Sequence, residues 1–122
     1  MKVIKINNKT IKDLDNDILT RNNNIIIFIY ANWCPYTQQF KPLWNKYKKT
    51  LKDRNDIIIY EYNDNMMNLK EYFHNINNLF NKDFEGYPTT IYLPQKGNKK
   101  RKYILSGIYD YDKIIKETKN KI

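Results

Sequence analysis

Cys34 is the only cysteine of the chain, and it stands in the segment Trp33-Cys34-Pro35-Tyr36-Thr37. A thiol attacks disulfides and electrophiles as thiolate, so a useful cysteine needs surroundings that stabilise the anion. A helix N-terminus does this with free backbone N–H groups and the positive end of the helix dipole. The sequence predicts such a terminus here. Pro35 suits a first helical turn, where its missing N–H would have no partner anyway. Beyond it Phe40, Leu43, Trp44, Tyr47 and Leu51 recur at steps of three and four, the period of an amphipathic helix reaching toward Arg54. Trp33 is placed to shield one side of the sulfur while leaving room for a peptide. With one cysteine no intrachain disulfide can form, so cysteine usage does not fix the redox compartment.

Other chemistry-bearing residues lead to less. His74, the only histidine, falls off the apolar stripe of its predicted helix and lacks Cys or acidic partners at ligand spacing, so no metal site is expected. Met66-Met67 reads as core or helix-start filler. Tyr103, Tyr109 and Tyr111 lie near basic residues and could stack on bases. However, Lys, Asn, Ile and Tyr are all over-used, and an A/T-rich genome, such as that of a protozoan or a large DNA virus, accounts for them more simply. The chain has no glycine-rich phosphate loop and no paired acids suggesting hydrolysis.

The elements that must position Cys34 follow from periodicity. Val3 to Ile6 suits a short edge strand. Thr10 is placed to cap a helix whose Leu14, Ile18 and Leu19 share a face. Ile25 to Tyr30 is a β-branched run apolar on both faces, as a central strand covered by helices should be. Pro42 lies inside the next helix, where a proline costs about 3 kcal/mol and kinks the axis. Ile57 to Tyr62 is a second central run, closed by Asn63-Asp64-Asn65 turn chemistry. Leu69, Tyr72, Phe73, Ile76, Leu79 and Phe80 trace a third helix. Gly86-Tyr87-Pro88-Thr89 introduces a strand over 90–93, Gly97-Asn98 forms a hairpin tip, and 103–105 returns as its partner. Gly107 ends that strand, and 108–122 closes with a helix. The order is βαβαβαββα, expected to form one domain over residues 1–122.

Composition agrees with a folded chain: 41% hydrophobic, 15% aromatic and 29% charged residues. The net charge of +9 would attract anionic partners. The densest basic run, 96–102, reads instead as a solvated hairpin tip, so nucleic acid is not an expected partner. The N-terminus alternates Lys and Asn with aliphatics and does not read as a signal peptide, so the mature chain is expected to begin at Met1. The longest apolar run, 25–31, is far short of the roughly 20 residues that span a bilayer. A cytoplasmic or, if viral, virion-associated monomer is the expectation.

Together these marks resemble the thioredoxin superfamily, and within it the catalytic domains of protein disulfide isomerase. The likeness covers nearly the whole chain. It is carried by the strand running into Ala31-Asn32-Trp33-Cys34, by Pro42 eight residues past Cys34, by Gly86-Tyr87-Pro88-Thr89 and by Gly107. It implies an α/β thioredoxin fold: a central mixed sheet flanked by helices, mostly parallel, with an antiparallel hairpin at one edge. It implies a cis peptide bond at Pro88, facing an accessible Cys34, with Tyr87-Pro88 presenting backbone groups to an extended substrate. Catalysis would fall to Cys34, in a site shaped by Trp33, Pro35, Tyr36, Thr37, Tyr87 and Pro88, with no cofactor.

Two departures qualify the implied activity. Dithiol members carry a second cysteine where this chain has Thr37, and that cysteine resolves mixed disulfides. The Thr37 hydroxyl can at most hydrogen-bond the Cys34 thiolate, so release falls to an outside thiol such as glutathione, acting as co-substrate. Relatives also bury an acid at the position of Phe28. Glu61 on the neighbouring strand is the nearest substitute, but surface preference makes it an expected exposed strand-end carboxylate. Pro35-Tyr36 is further similar to the glutaredoxin Cys-Pro-Tyr-Cys site, over three residues only. The resemblance thus implies a monothiol oxidoreductase or isomerase-like protein acting on protein thiols and disulfides. The alternative is a redox-inactive module that binds extended peptides.

Overall fold

Among the described residues the elements follow one another as β1 (Lys2–Lys5), α1 (Ile11–Thr20), β2 (Asn24–Tyr30), α2 (Pro35–Leu51), β3 (Ile57–Asn63), β4 (Thr89–Leu93) and β5 (Tyr103–Ser106). The computed structural model describes residues 1–63 and 86–97, together with the backbone of 103–106. The predicted helices over 69–80 and 108–122 lie outside the described residues, as do His74, Met66-Met67, Asn98, Gly107, Tyr109 and Tyr111.

The strands form one sheet in the order β1-β3-β2-β4-β5. β1, β3 and β2 run parallel, β4 is antiparallel to β2, and β5 is antiparallel to β4. The mixed sheet with an antiparallel edge is therefore as expected, with the first strand at one edge. β2 occupies the centre, and all seven of its residues are buried.

Alternation of side chains along a strand explains why β2 is apolar throughout. Ile25, Ile27 and Ile29 join Leu14 and Ile18 of α1, with Tyr60, Tyr62, Ile91 and Leu93, in one core layer. Ile26, Phe28 and Tyr30 point the other way, into a layer with Phe40, Trp44, Tyr47 and Leu51 of α2 and Ile57 and Ile59 of β3. Phe28 stacks on Trp44 with ring centroids 4.4 Å apart. A hydrogen bond from the Tyr60 hydroxyl to Asp17 ties α1 to β3.

Two local expectations need correction. Leu19 does not share the face of Leu14 and Ile18 and is 83% exposed; the buried pair is spaced i, i+4, and the next residue is turned about 100° from it. Thr10 stands at the N-cap of α1 but makes no side-chain cap hydrogen bond. Its hydroxyl donates to the Lys5 carbonyl at 2.6 Å, and the Asn7 carboxamide oxygen accepts the N–H groups of Lys9 and Thr10 at 2.8 and 2.9 Å. Asn7 thus supplies the turn chemistry. Pro42 lies within α2, as predicted, on its exposed side.

A polar cluster fixes the start of β2. Asn24 donates to Asp56 at 2.9 Å and accepts from the Tyr92 hydroxyl at 3.1 Å and the Gln95 N–H at 2.9 Å. Arg54 hydrogen bonds, assisted by Asn24, hold the Asp56 carboxyl below its ordinary value. A depressed carboxylate stabilises the fold above its unfolded pKa of about 3.9 and loses that contribution as pH falls. Asn24→Ala should cost about 1–3 kcal/mol in urea unfolding, because it removes the acceptor of the buried Tyr92 hydroxyl and of the Gln95 N–H. Asp56→Asn should flatten the loss of stability below about pH 4, by less than about 1 kcal/mol, since the ion pair is partly exposed.

Candidate functional site

Register brings the site together. Ile29 of β2 pairs with Thr89 of β4 in antiparallel fashion. One strand leaves the sheet at the end where the other enters it, so Ala31-Asn32-Trp33-Cys34 and Gly86-Tyr87-Pro88 meet there. The Tyr87-Pro88 bond is cis, as the resemblance implies, and Gly86 has φ +155°, a value open to glycine. The Trp33 and Tyr87 rings meet edge to face at 5.7 Å.

Cys34 is the N-cap of α2, with extended backbone and Pro35 as the first helical residue. Its N–H donates to the Ala31 carbonyl at 3.0 Å, closing the turn, and its carbonyl accepts the Gln38 N–H at 3.1 Å, opening the helix. The predicted placement at a coil-to-helix junction beside the Tyr87-Pro88 bend is met. Accessibility is not: Cys34 is buried, only 8% exposed. Nor does its sulfur take the cap hydrogen bond from the first-turn amides. Instead the thiol points at the Tyr87 carbonyl, with sulfur and oxygen 3.9 Å apart. Trp33 and Tyr36 flank it at 63% and 60% exposure, an aromatic rim around a nearly closed thiol.

Thr37 is fully buried one turn into the helix. Its hydroxyl accepts the Ala31 N–H at 3.3 Å and is not bonded to Cys34. The residue expected to support a thiolate thus braces the loop before it. Asn32, Gln38 and Lys41 do the same and were not among the predicted site residues. Gln38 donates to the Asn32 carbonyl at 3.1 Å, and the Lys41 ammonium donates to the Asn32 side-chain oxygen at 2.6 Å. Their signal in the sequence was polar spacing at four and seven residues past Cys34, which keeps them on its side of the helix.

Glu61 overturns the expectation of an exposed strand end. It is 7% exposed and lies beside Phe28 in the sheet register. The Trp44 indole donates to its Oε2 at 2.6 Å and the Lys48 ammonium at 3.0 Å. Strand alternation turns Glu61 toward α2, where a buried carboxylate must be paired, and these two donors pair it. Burial, with the Glu61 charge nearby, raises the Tyr30 phenol above its usual pKa. Among the described residues there is no group of three or more potential metal ligands, and no helix is long and apolar enough to cross a membrane.

Residues 3–120 match the family model described as Thioredoxin. The chain belongs to the thioredoxin family. A protein disulfide-isomerase of Schizosaccharomyces pombe is 23% identical to this thioredoxin-family chain over 87% of its length, covering 27% of that relative. Protein disulfide isomerase-like 1-3 of Arabidopsis thaliana is 28% identical over 81% of the chain and 14% of the relative, and a protein disulfide-isomerase of Gallus gallus 31% identical over 39% and 9%. The chain therefore spans about a quarter or less of the curated relatives it matches. Among solved structures, chloroplastic thioredoxin z superposes with a TM-score of 0.67 at 16% identity, over 98% of this chain and 94% of that one. The thioredoxin fold and the likeness to protein disulfide isomerase domains both stand. With them comes membership of a family of thiol-disulfide oxidoreductases.

Trp44→Phe would keep one aromatic ring against Phe28 and delete the indole N–H with the rest of the bicycle, leaving Lys48 as the donor to the buried Glu61 carboxylate among the described residues. The expected loss is about 1.5–3 kcal/mol in urea unfolding, the range for hydrogen bonds to charged groups. A loss below about 0.5 kcal/mol would mean that Glu61 does not depend on the indole.

Proposed function

We propose that this thioredoxin-family chain acts as a single-domain monomer that exchanges disulfides through Cys34 alone. The observation that supports this most is the thiol at the N-cap of α2, beside the Tyr87 carbonyl and between exposed Trp33 and Tyr36. The Tyr87 contact is one a thiol makes and a thiolate cannot, since a carbonyl oxygen only accepts. Reaction therefore proceeds with the sulfur turned from Tyr87 toward the Tyr36 and Thr37 N–H groups. The thiolate attacks one sulfur of a partner disulfide. A Cys34–partner S–S bond forms, the partner's own S–S bond breaks, and the second partner sulfur leaves and takes a proton from solvent. Thr37 cannot resolve the adduct. A thiolate from a free thiol such as glutathione attacks the partner sulfur: a new S–S bond forms between that thiol and the partner, the Cys34–partner S–S bond breaks, and Cys34 leaves as thiolate.

The low exposure of Cys34 favours a second reading, in which the aromatic rim and the Tyr87-Pro88 bend hold an extended peptide without turnover. Cys34→Ser separates the two. Under the first reading the substitution abolishes covalent capture of a disulfide-bearing peptide; under the second, capture of the reduced peptide persists unchanged. Thr37→Cys is the complementary test. In wild type the mixed disulfide should persist until glutathione is added, whereas the variant should shed it unaided and at least tenfold faster, as followed by intact mass. Equal lifetimes would remove resolution from the account.

A further inference from the structure

Lys41 and Lys48 are alike in one respect: each ammonium lies over an aromatic ring, Tyr30 at 4.7 Å and Trp44 at 5.8 Å from the ring centroid. They differ in charge balance. Lys48 is paired with Glu61 at 3.0 Å. Lys41 bonds the Asn32 side-chain oxygen at 2.6 Å, and among the described residues both of its partners are neutral. An ammonium has three donors, so among the described residues Lys41 has spare N–H groups at the edge of the loop that carries Cys34.

Among the described residues the helix that carries Lys41 does not cancel that charge. α2 carries Lys41, Lys46, Lys48 and Lys49 and no acidic residue, and Lys52 follows at its C-cap. Among the described residues, Asn32, Trp33, Pro35, Tyr36 and Gln38 beside Cys34 are uncharged. Lys41 is also already ordered, by Asn32 and the Tyr30 ring, so binding a carboxylate there does not carry the entropy cost of fixing a free lysine chain.

We infer that Lys41 makes the site selective for protein segments carrying an acidic residue two to four residues from the cysteine that Cys34 engages. The inference rests on the reading that Cys34 faces a partner peptide. An extended segment advances about 3.3 Å per residue, so a carboxylate two to four residues from the partner sulfur lies about 7–13 Å from it, a span set by a loop and two helical turns. The attraction is that of a partly exposed ion pair and falls as salt shortens the screening length.

The test uses fluorescent peptides of one sequence with Glu, Gln or Lys placed about three residues from a central Cys, or from Ser in its place. Affinity of the Ser peptides for wild type and Lys41→Gln is read by anisotropy at low and high salt. Wild type should favour the Glu peptide over the Gln peptide by about two- to fivefold at low salt, lose the preference near 1 M salt, and lose it in Lys41→Gln at low salt. Circular dichroism confirms that the variant is folded. Equal affinities in wild type, or a preference retained by Lys41→Gln, would overturn the inference; preference for glutathione over every peptide would do the same. Mixed-disulfide formation is scored separately with the Cys peptides supplied as their symmetric disulfides, so that the Cys34 thiolate forms one S–S bond, breaks the peptide's own and releases one peptide thiol. An acidic preference in binding with no covalent adduct would leave this inference standing and refute the Cys34 reaction.

Discussion

The antiparallel pairing of β2 with β4 is the constraint on which the site depends. With Ile29 opposite Thr89, the chain emerging from the central strand meets the chain entering the next one, and the Cys34 thiol comes to rest 3.9 Å from the Tyr87 carbonyl. A slip of one residue would turn every side chain of β4 to the opposite face of the sheet. It would expose Ile91 and Leu93 to the wrong layer and carry the bend away from the sulfur. The core therefore fixes the site: apolar burial on both faces of β2 sets the register, and the register sets the contact.

Around that contact the chain is braced by hydrogen bonds between the helix and the loop before it. Thr37, Gln38 and Lys41 all return hydrogen bonds to Ala31 and Asn32, so the first two turns of α2 hold the loop that delivers Cys34. Beneath them the Phe28, Trp44 and Phe40 rings fill the layer in which relatives place an acid, and the carboxylate sits one strand over, at Glu61, with Trp44 and Lys48 as its donors. A buried pair of this kind is costly to break and does not by itself add stability relative to an apolar pair. Its effect here is to seat the middle of α2 against β3.

Much of the fold was legible because its signals are local. Residues 25–30 announce a central strand by being apolar at every position, and the 3.6-residue stripe from Phe40 to Leu51 announces α2. The cis Tyr87-Pro88 bond and its place opposite Cys34 followed from the resemblance alone. What escaped were facts set by distant partners. Glu61 is separated in sequence by 17 and 13 residues from the donors that make its burial possible, so its type alone suggested the surface. Leu19 looked like core because one apolar residue beside another reads as a stripe, although a single helical step carries it to solvent. The depth of Cys34 and the direction of its thiol depend on how closely the Tyr87 bend approaches, which spacing does not encode.

Because the chain has one sulfhydryl, its reactivity can be read directly. The decisive measurement is the rate at which a small aromatic disulfide labels Cys34 in the folded chain, compared with the same chain in urea at one pH. If the helix start and the gap between Trp33 and Tyr36 activate and admit attack, the folded protein reacts several-fold faster than the unfolded one. Slower labelling in the folded state would show that the bend shelters the sulfur, and the exchange chemistry assigned to it would fail.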